Sequence, residues 1–199
     1  APEQEKFKWT EYHKWKFDSQ WYAKIAGKLV LKTQAQFGYL GNYTNRTETS
    51  TFERFKLGGD GMQGFDFLQG SEIIAMRGYM NGTIIPETTG DQDQNVAISS
   101  GSPIYTKYQL ELRHPIMLNE QATVYMMAFA EAGNTWNKFS EVNPFKLRRS
   151  AGIGARIFLP IFGMLGIDYG HAFDPIPGLP ESQWKQNFTF SILQDLGGF

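Results

Sequence analysis

Ser150-Ala151-Gly152-Ile153-Gly154-Ala155-Arg156-Ile157-Phe158-Leu159, a short join at 160–163, then Met164-Leu165-Gly166-Ile167-Asp168-Tyr169-Gly170, is the stretch that decides the fold. Apolar side chains take every second place: Ala151, Ile153, Ala155, Ile157 and Leu159, then Leu165, Ile167 and Tyr169. Gly152, Gly154, Arg156, Gly166, Asp168 and Gly170 stand between them. Successive side chains of a strand point to opposite sides, so a period of two marks a strand whose faces meet different surroundings. Pro160 and Gly163 punctuate the join and read as a tight turn.

The pattern recurs on both sides of this hairpin. Trp15, Phe17, Trp21, Ala23 and Ile25 oppose Lys14, Lys16, Asp18, Gln20 and Lys24. Leu29, Leu31, Ala35, Phe37 and Tyr39 oppose Lys32, Gln34 and Gln36. Tyr108, Leu110 and Leu112 oppose Lys107, Gln109, Glu111 and Arg113. The run 122–132 is apolar on both sides until Glu131 and is the least regular. Phe188, Phe190 and Ile192 oppose Asn187, Thr189 and Ser191. Seven strands are predicted, and residues 6–12 leave room for an eighth.

Composition narrows the class. The 199 residues include 21 glycines and 15% aromatics, yet mean hydropathy is only -0.38. No run of about 18 apolar residues could serve as a membrane helix. A barrel in lipid needs only alternate apolar residues, so its average looks soluble. A soluble, lipocalin-like β-protein would share this composition. The connections separate the two. Those at 26–28, 115–121 and 160–163 are short, whereas 41–103, 133–147 and 172–183 are long. Outer-membrane barrels sort their loops in this way, with short periplasmic turns and long extracellular loops. Trp15, Tyr39, Tyr105, Phe158, Tyr169 and Trp184 lie near segment ends and read as interfacial aromatic girdles. The expected fold is therefore all-β, an antiparallel transmembrane β-barrel in the bacterial outer membrane.

Little suggests covalent chemistry, and no enzyme activity is expected. With no cysteine there is neither disulfide nor thiolate. The formal net charge of -1 gives no electrostatic footprint for nucleic acid. His13, His114 and His171 lack metal-ligand spacing. Gly58-Gly59-Asp60-Gly61 is not set between a strand and a helix, as a phosphate loop would be. No cofactor and no metal are implied. Glycines of the run 150–154 sit inside a strand, where glycine marks a bend or close packing.

The long loop carries a sharper signal. Met76-Arg77-Gly78-Tyr79 follows the form aliphatic-Arg-Gly-aromatic, with Gly58-Gly59 upstream. Met62-Gln63-Gly64-Phe65 is a second candidate without the arginine. Further on stand Leu110-Glu111-Leu112 with Pro115, Ala130-Glu131-Ala132-Gly133-Asn134-Thr135-Trp136, Arg148-Arg149-Ser150-Ala151-Gly152-Ile153-Gly154 and Leu159-Pro160. Then come Gly163-Met164-Leu165-Gly166 and a closing strand with Phe188, Phe190, Ile192 and terminal Phe199. In this order the sequence resembles the BamA-type insertase family of the outer membrane.

The resemblance implies that residues 1–199 supply the C-terminal seven or so strands of a barrel of about sixteen, with 41–103 as an extracellular loop folded into the lumen. The family's periplasmic POTRA domains and earlier strands would lie outside this chain. It implies that Arg77 docks against Glu111 and Glu131; by alternation Glu111 already faces the polar side. It implies that 184–193 forms one side of a weak seam between the first and last strands, with Phe199 in a terminal targeting signal. The implied function is assembly and insertion of β-barrel proteins. Implied partners are nascent outer-membrane proteins, lipoprotein subunits, lipid and lipopolysaccharide. A secretion pore of the same superfamily, or a passive porin-like channel, is the alternative.

Overall fold

A computed structural model of the chain describes residues 11–43, 50, 52–60, 65–66, 70–86, 98, 100–119, 122–159 and 163–193. The seven predicted segments form one sheet. Its strands are β1 (His13–Ala26), β2 (Leu29–Gly41), β7 (Ile104–Leu118), β8 (Thr123–Trp136), β9 (Arg148–Leu159), β10 (Gly163–Ala172) and β12 (Phe188–Leu193). They lie in the order β1-β2-β7-β8-β9-β10-β12, every pairing antiparallel. Only the step from β2 to β7 spans a long insertion. The first six strands are 10 to 15 residues long, enough to cross hydrocarbon at the usual tilt.

The faces differ as the alternation requires. Trp15, Phe17, Trp21, Leu110, Ile153, Ile167, Phe188 and Phe190 stand exposed on the outer face, Phe188 with 71% of its surface uncovered. A soluble protein rarely shows water so continuous an apolar surface, and hydrocarbon is the solvent it suits. The opposite face carries Gln34, Lys107, Glu111, Glu131, Arg156 and Asp168, all buried.

These polar groups are buried because the insertion between β2 and β7 folds onto the inner face. It holds β3 (Phe55–Leu57), β4 (Phe65–Asp66), β5 (Ser71–Ile74) and β6 (Gly78–Tyr79). β5 pairs with β3 in parallel and with β4 antiparallel, while β6 pairs with β11 (Lys185–Gln186). The hydrophobic core lies between insertion and sheet. Phe55, Leu57, Ile74, Met76, Tyr79, Ile84 and Ile85 of the insertion pack with Leu40, Tyr105 and Ala172 of the inner face, and with Ile176 and Trp184.

Several expectations need correction. The turn expected at 115–121 is shorter, because β7 continues to Leu118 through an irregularity between Pro115 and Met117. A bulge is where a strand tolerates proline, which has no N–H to give the ladder. Asn119 closes the turn: its side-chain oxygen accepts from Ala122 N–H at 2.7 Å. β8 runs on to Trp136, four residues into the expected loop. The irregular pattern of β8 has a cause. Its inward Met127 and Phe129 are buried beneath the insertion, so that face need not be polar. Tyr105 and Trp184 are not girdle aromatics, since both are buried in the inner core. Residues 6–10 and 194–199, which carry part of the possible eighth strand and Phe199, lie outside the described residues, as do 62–64 of the second loop candidate.

Candidate functional site

The site forms where the tip of the insertion meets the inner faces of β7, β8, β9 and β10. Two exchanged backbone bonds hold the tip open: Gly59 N–H donates to Met76 O at 3.1 Å, and Met76 N–H to Gly59 O at 3.0 Å. Met76 is fully buried in the core. Gly59 lies at φ 84°, and a Cβ there would fall on the Asn81 side chain. The upstream glycine pair is thus the backbone partner of the arginine motif.

Arg77 follows directly and is itself buried. Its backbone N–H donates to Glu131 Oε2 at 2.7 Å. Its Nε and Nη2 donate to Glu131 Oε1 at 3.2 and 2.8 Å, and Nη2 also donates to Glu111 Oε1 at 2.8 Å. Nη1 lies 3.5 Å from Asp168 Oδ1. The guanidinium sits over the Phe129 ring, 3.7 Å from its centroid, so one face meets π-electrons and the edge meets carboxylates. Burial alone would lower the pKa of Arg77. Glu131 above all, with Glu111 and Asp168, outweighs burial and holds the group above its ordinary value.

Each carboxylate also has a second cation. Arg113 donates to Glu111 through Nε at 2.8 Å and through Nη2. Lys107 Nζ lies 3.3 Å from Glu131 and donates to Ala75 O in the insertion. Arg156 grips Asp168 through two parallel bonds at 2.9 and 2.6 Å. Charges of opposite sign thus alternate across four strands. Such a network adds little net stability beyond an apolar equivalent. Removing one member, however, leaves an uncompensated buried charge, a loss of about 3–5 kcal/mol.

The next two residues of the motif anchor the tip. Gly78 has φ 93°, a left-handed conformation open to glycine, and a Cβ there would come within 3.1 Å of Ser150 Cβ and Ala172 N. Tyr79 donates its hydroxyl towards Arg149 O at 3.1 Å and Asp174 O at 3.0 Å. Burial pushes its phenol up to about 12. Its ring lies 5.8 Å from that of Trp184. Trp184 ends a single helical turn, Glu181–Trp184, and leads into β11.

The structure brings together Met76, Arg77, Gly78, Tyr79, Glu111 and Glu131. It places Phe188, Phe190 and Ile192 elsewhere, on the outer face of β12, opposite Tyr169, Ile167 and Leu165 of β10. Sequence reasoning missed Asp168, Arg156, Phe129, Lys107 and Trp184. Asp168 and Arg156 had a signal, as opposite charges on the polar faces of adjacent strands. Phe129 had none, because an aromatic on an inward face is readable only once a cation is known to cover it. The glycines of β9 and β10 now have a role. A Cβ at Gly154 would strike the Asp168 carboxylate, and one at Gly170 would lie 3.1 Å from Gly78 N. Their missing side chains give the tip its seat.

A sheet apolar outside and charged within, with its longest loop docked by arginine on the inner face, defines a transmembrane β-barrel protein with an inward-folded loop. The chain belongs to the Omp85 superfamily, whose domain model matches residues 5–195. Its fold is that of the BamA barrel. It matches the crystal structure of BamA from Haemophilus ducreyi lacking POTRA domains 1–3, with a TM-score of 0.64 at 17% identity. That match covers 90% of this chain and 34% of the other, so the chain spans about a third of the length of that relative. No curated protein matches its sequence.

Proposed function

We propose that this chain is the C-terminal barrel portion of an insertase that assembles β-barrel proteins into the bacterial outer membrane. Its partners would be nascent outer-membrane proteins, lipoprotein subunits of an assembly complex, and the surrounding lipid and lipopolysaccharide; nucleic acid is not among them. Periplasmic POTRA domains and the earlier strands would be supplied outside these residues. Superfamily membership supports insertion or secretion in general. The docked loop is the observation that favours insertion. It covers the inner face with an apolar core and a paired charge cluster, a poor arrangement for a passive conduit.

The working surface is then the edge of the sheet rather than its lumen. Unpaired strand groups are costly in hydrocarbon, so an incoming strand gains by pairing with an open edge. In this reading β12 offers one side of a seam, and the substrate's own folding supplies the free energy. One feature favours the secretion-pore or porin-like alternative: a cavity of about 510 Å³ beneath the docked tip, lined by Lys32, Lys107, Glu111, Arg113 and Arg156.

The test is reconstitution of the full-length protein in lipid vesicles with an unfolded β-barrel client. Faster client folding is expected, and a cysteine bridge from Phe190→Cys to the opposing seam strand is expected to abolish it. Unaltered folding with the seam locked, together with a large steady conductance, would reject insertion in favour of the pore.

A further inference from the structure

The last strand stops short of its partner's end. β10 continues to Ala172, whereas β12 begins at Phe188, opposite Tyr169. Gly170 N–H still donates to Asn187 O at 2.8 Å, so the ladder holds for one step more. There the chain leaves the sheet. Lys185 and Gln186 pair instead with Tyr79 and Gly78 of the insertion, and Met80 N–H donates to Trp184 O at 2.8 Å. Carried on unchanged, the register of β10 and β12 would set Gln186 opposite His171 and Lys185 opposite Ala172. Antiparallel pairs alternate, so the N–H and C=O of Ala172 point to this edge, as those of Gly170 do. The insertion stands in the way: Gly78 is packed against Ala172 and His171, and Trp184 is held beside Tyr79.

We propose that 185–186 is a strand segment with two alternative partners, and that docking of Arg77 selects between them. With the insertion docked, the segment pairs with β6 and the last strand has its six residues. With the insertion released, the segment zips onto the end of β10 and the strand reaches back through Asn187 to Lys185. The ladder to β6 uses the backbone groups of 184 and 186, and the ladder to β10 would use those of 185, so each state pairs one set and turns the other to an edge. The balance is then set by what only the docked state has: the Arg77 cluster and the Tyr79–Trp184 contact. Release lengthens the edge that a β-strand partner could join. The device rests on the pairing alone and holds whether the barrel inserts or secretes.

Cysteine pairs in the full-length protein, embedded in lipid vesicles, test it. His171→Cys with Gln186→Cys reports the extended strand, because the two would form a non-hydrogen-bonded pair whose Cβ atoms lie close enough for a disulfide. Ile167→Cys with Phe190→Cys has the same parity in the existing ladder and reports that the sheet has formed. With Arg77 present, the second pair is expected to cross-link and the first scarcely at all. Arg77→Ala should raise the first several-fold and leave the second unchanged. Trp184→Ala, which leaves the ionic cluster intact, should act in the same direction where Arg77→Ala prevents folding. Full cross-linking of 171 with 186 in the parent protein would overturn the proposal. So would no rise in either variant whose 167–190 pair still closes and whose insertion a protease now cuts.

Discussion

Arg77 is bound through its side chain and its own backbone N–H, and Glu131 accepts from both. Glu111 accepts from the side chain alone, through a single bond. The two carboxylates should therefore differ. Glu131→Gln is expected to destabilise the docked insertion by about 3–5 kcal/mol, and Glu111→Gln by less, read as the protease concentration that cleaves the loop. Tyr79 gives a pH signature at the same tip. Its phenol is raised from 10.0 to about 12 by burial. The folded state thus keeps a proton that the unfolded state sheds from pH 10. This contribution is fully present below pH 10 and is lost as pH rises to 12, on the order of 2 kcal/mol. Protease titration across that window should show the loop loosening, and Tyr79→Phe should weaken the dependence. The motif and both carboxylates were legible through the family resemblance, and Glu111 also because alternation sets it on the polar face of its strand. Asp168 was not singled out, because its role depends on Gly154 leaving space beside it, and a missing side chain states no partner.

Among the elements, all seven sheet strands were visible beforehand, since a surface divided between hydrocarbon and a polar interior imposes period two on each. Their ends were less visible. β7 and β8 overran their predicted limits where the pattern stops reporting environment: at the Pro115 irregularity, and where Gly133 and Thr135 are covered by the insertion. The short strands β3 to β6 were not predicted, as elements of two to four residues are too brief to show a period. The glycines of β9 make a prediction of their own. A Cβ at Gly152 would stand 2.0 Å from the carbonyl oxygen of Tyr169, a backbone atom of the neighbouring strand, and 2.6 Å from Phe129. Gly152→Ala should force β9 and β10 apart and cost roughly 1–3 kcal/mol, measured by thermal unfolding in detergent. Gly27→Ala, with open space around it, should cost less and only through its turn conformation.

For the molecule as a whole, the division between a hydrocarbon face and a dry inner core separates tryptophans that are equivalent by composition. Trp15 and Trp21 project outward, whereas Trp184 is enclosed with the insertion. Bromine atoms attached to lipid acyl chains extinguish indole emission only at short range. Vesicles made from such lipids should therefore darken Trp15 and Trp21 and spare Trp184, with single-tryptophan variants assigning each. Emission from Trp184 in such a variant would then give an optical report on the loop alone, undisturbed by the bilayer. Trp184, beside the ring of Tyr79, is placed to change its colour when the tip lets go.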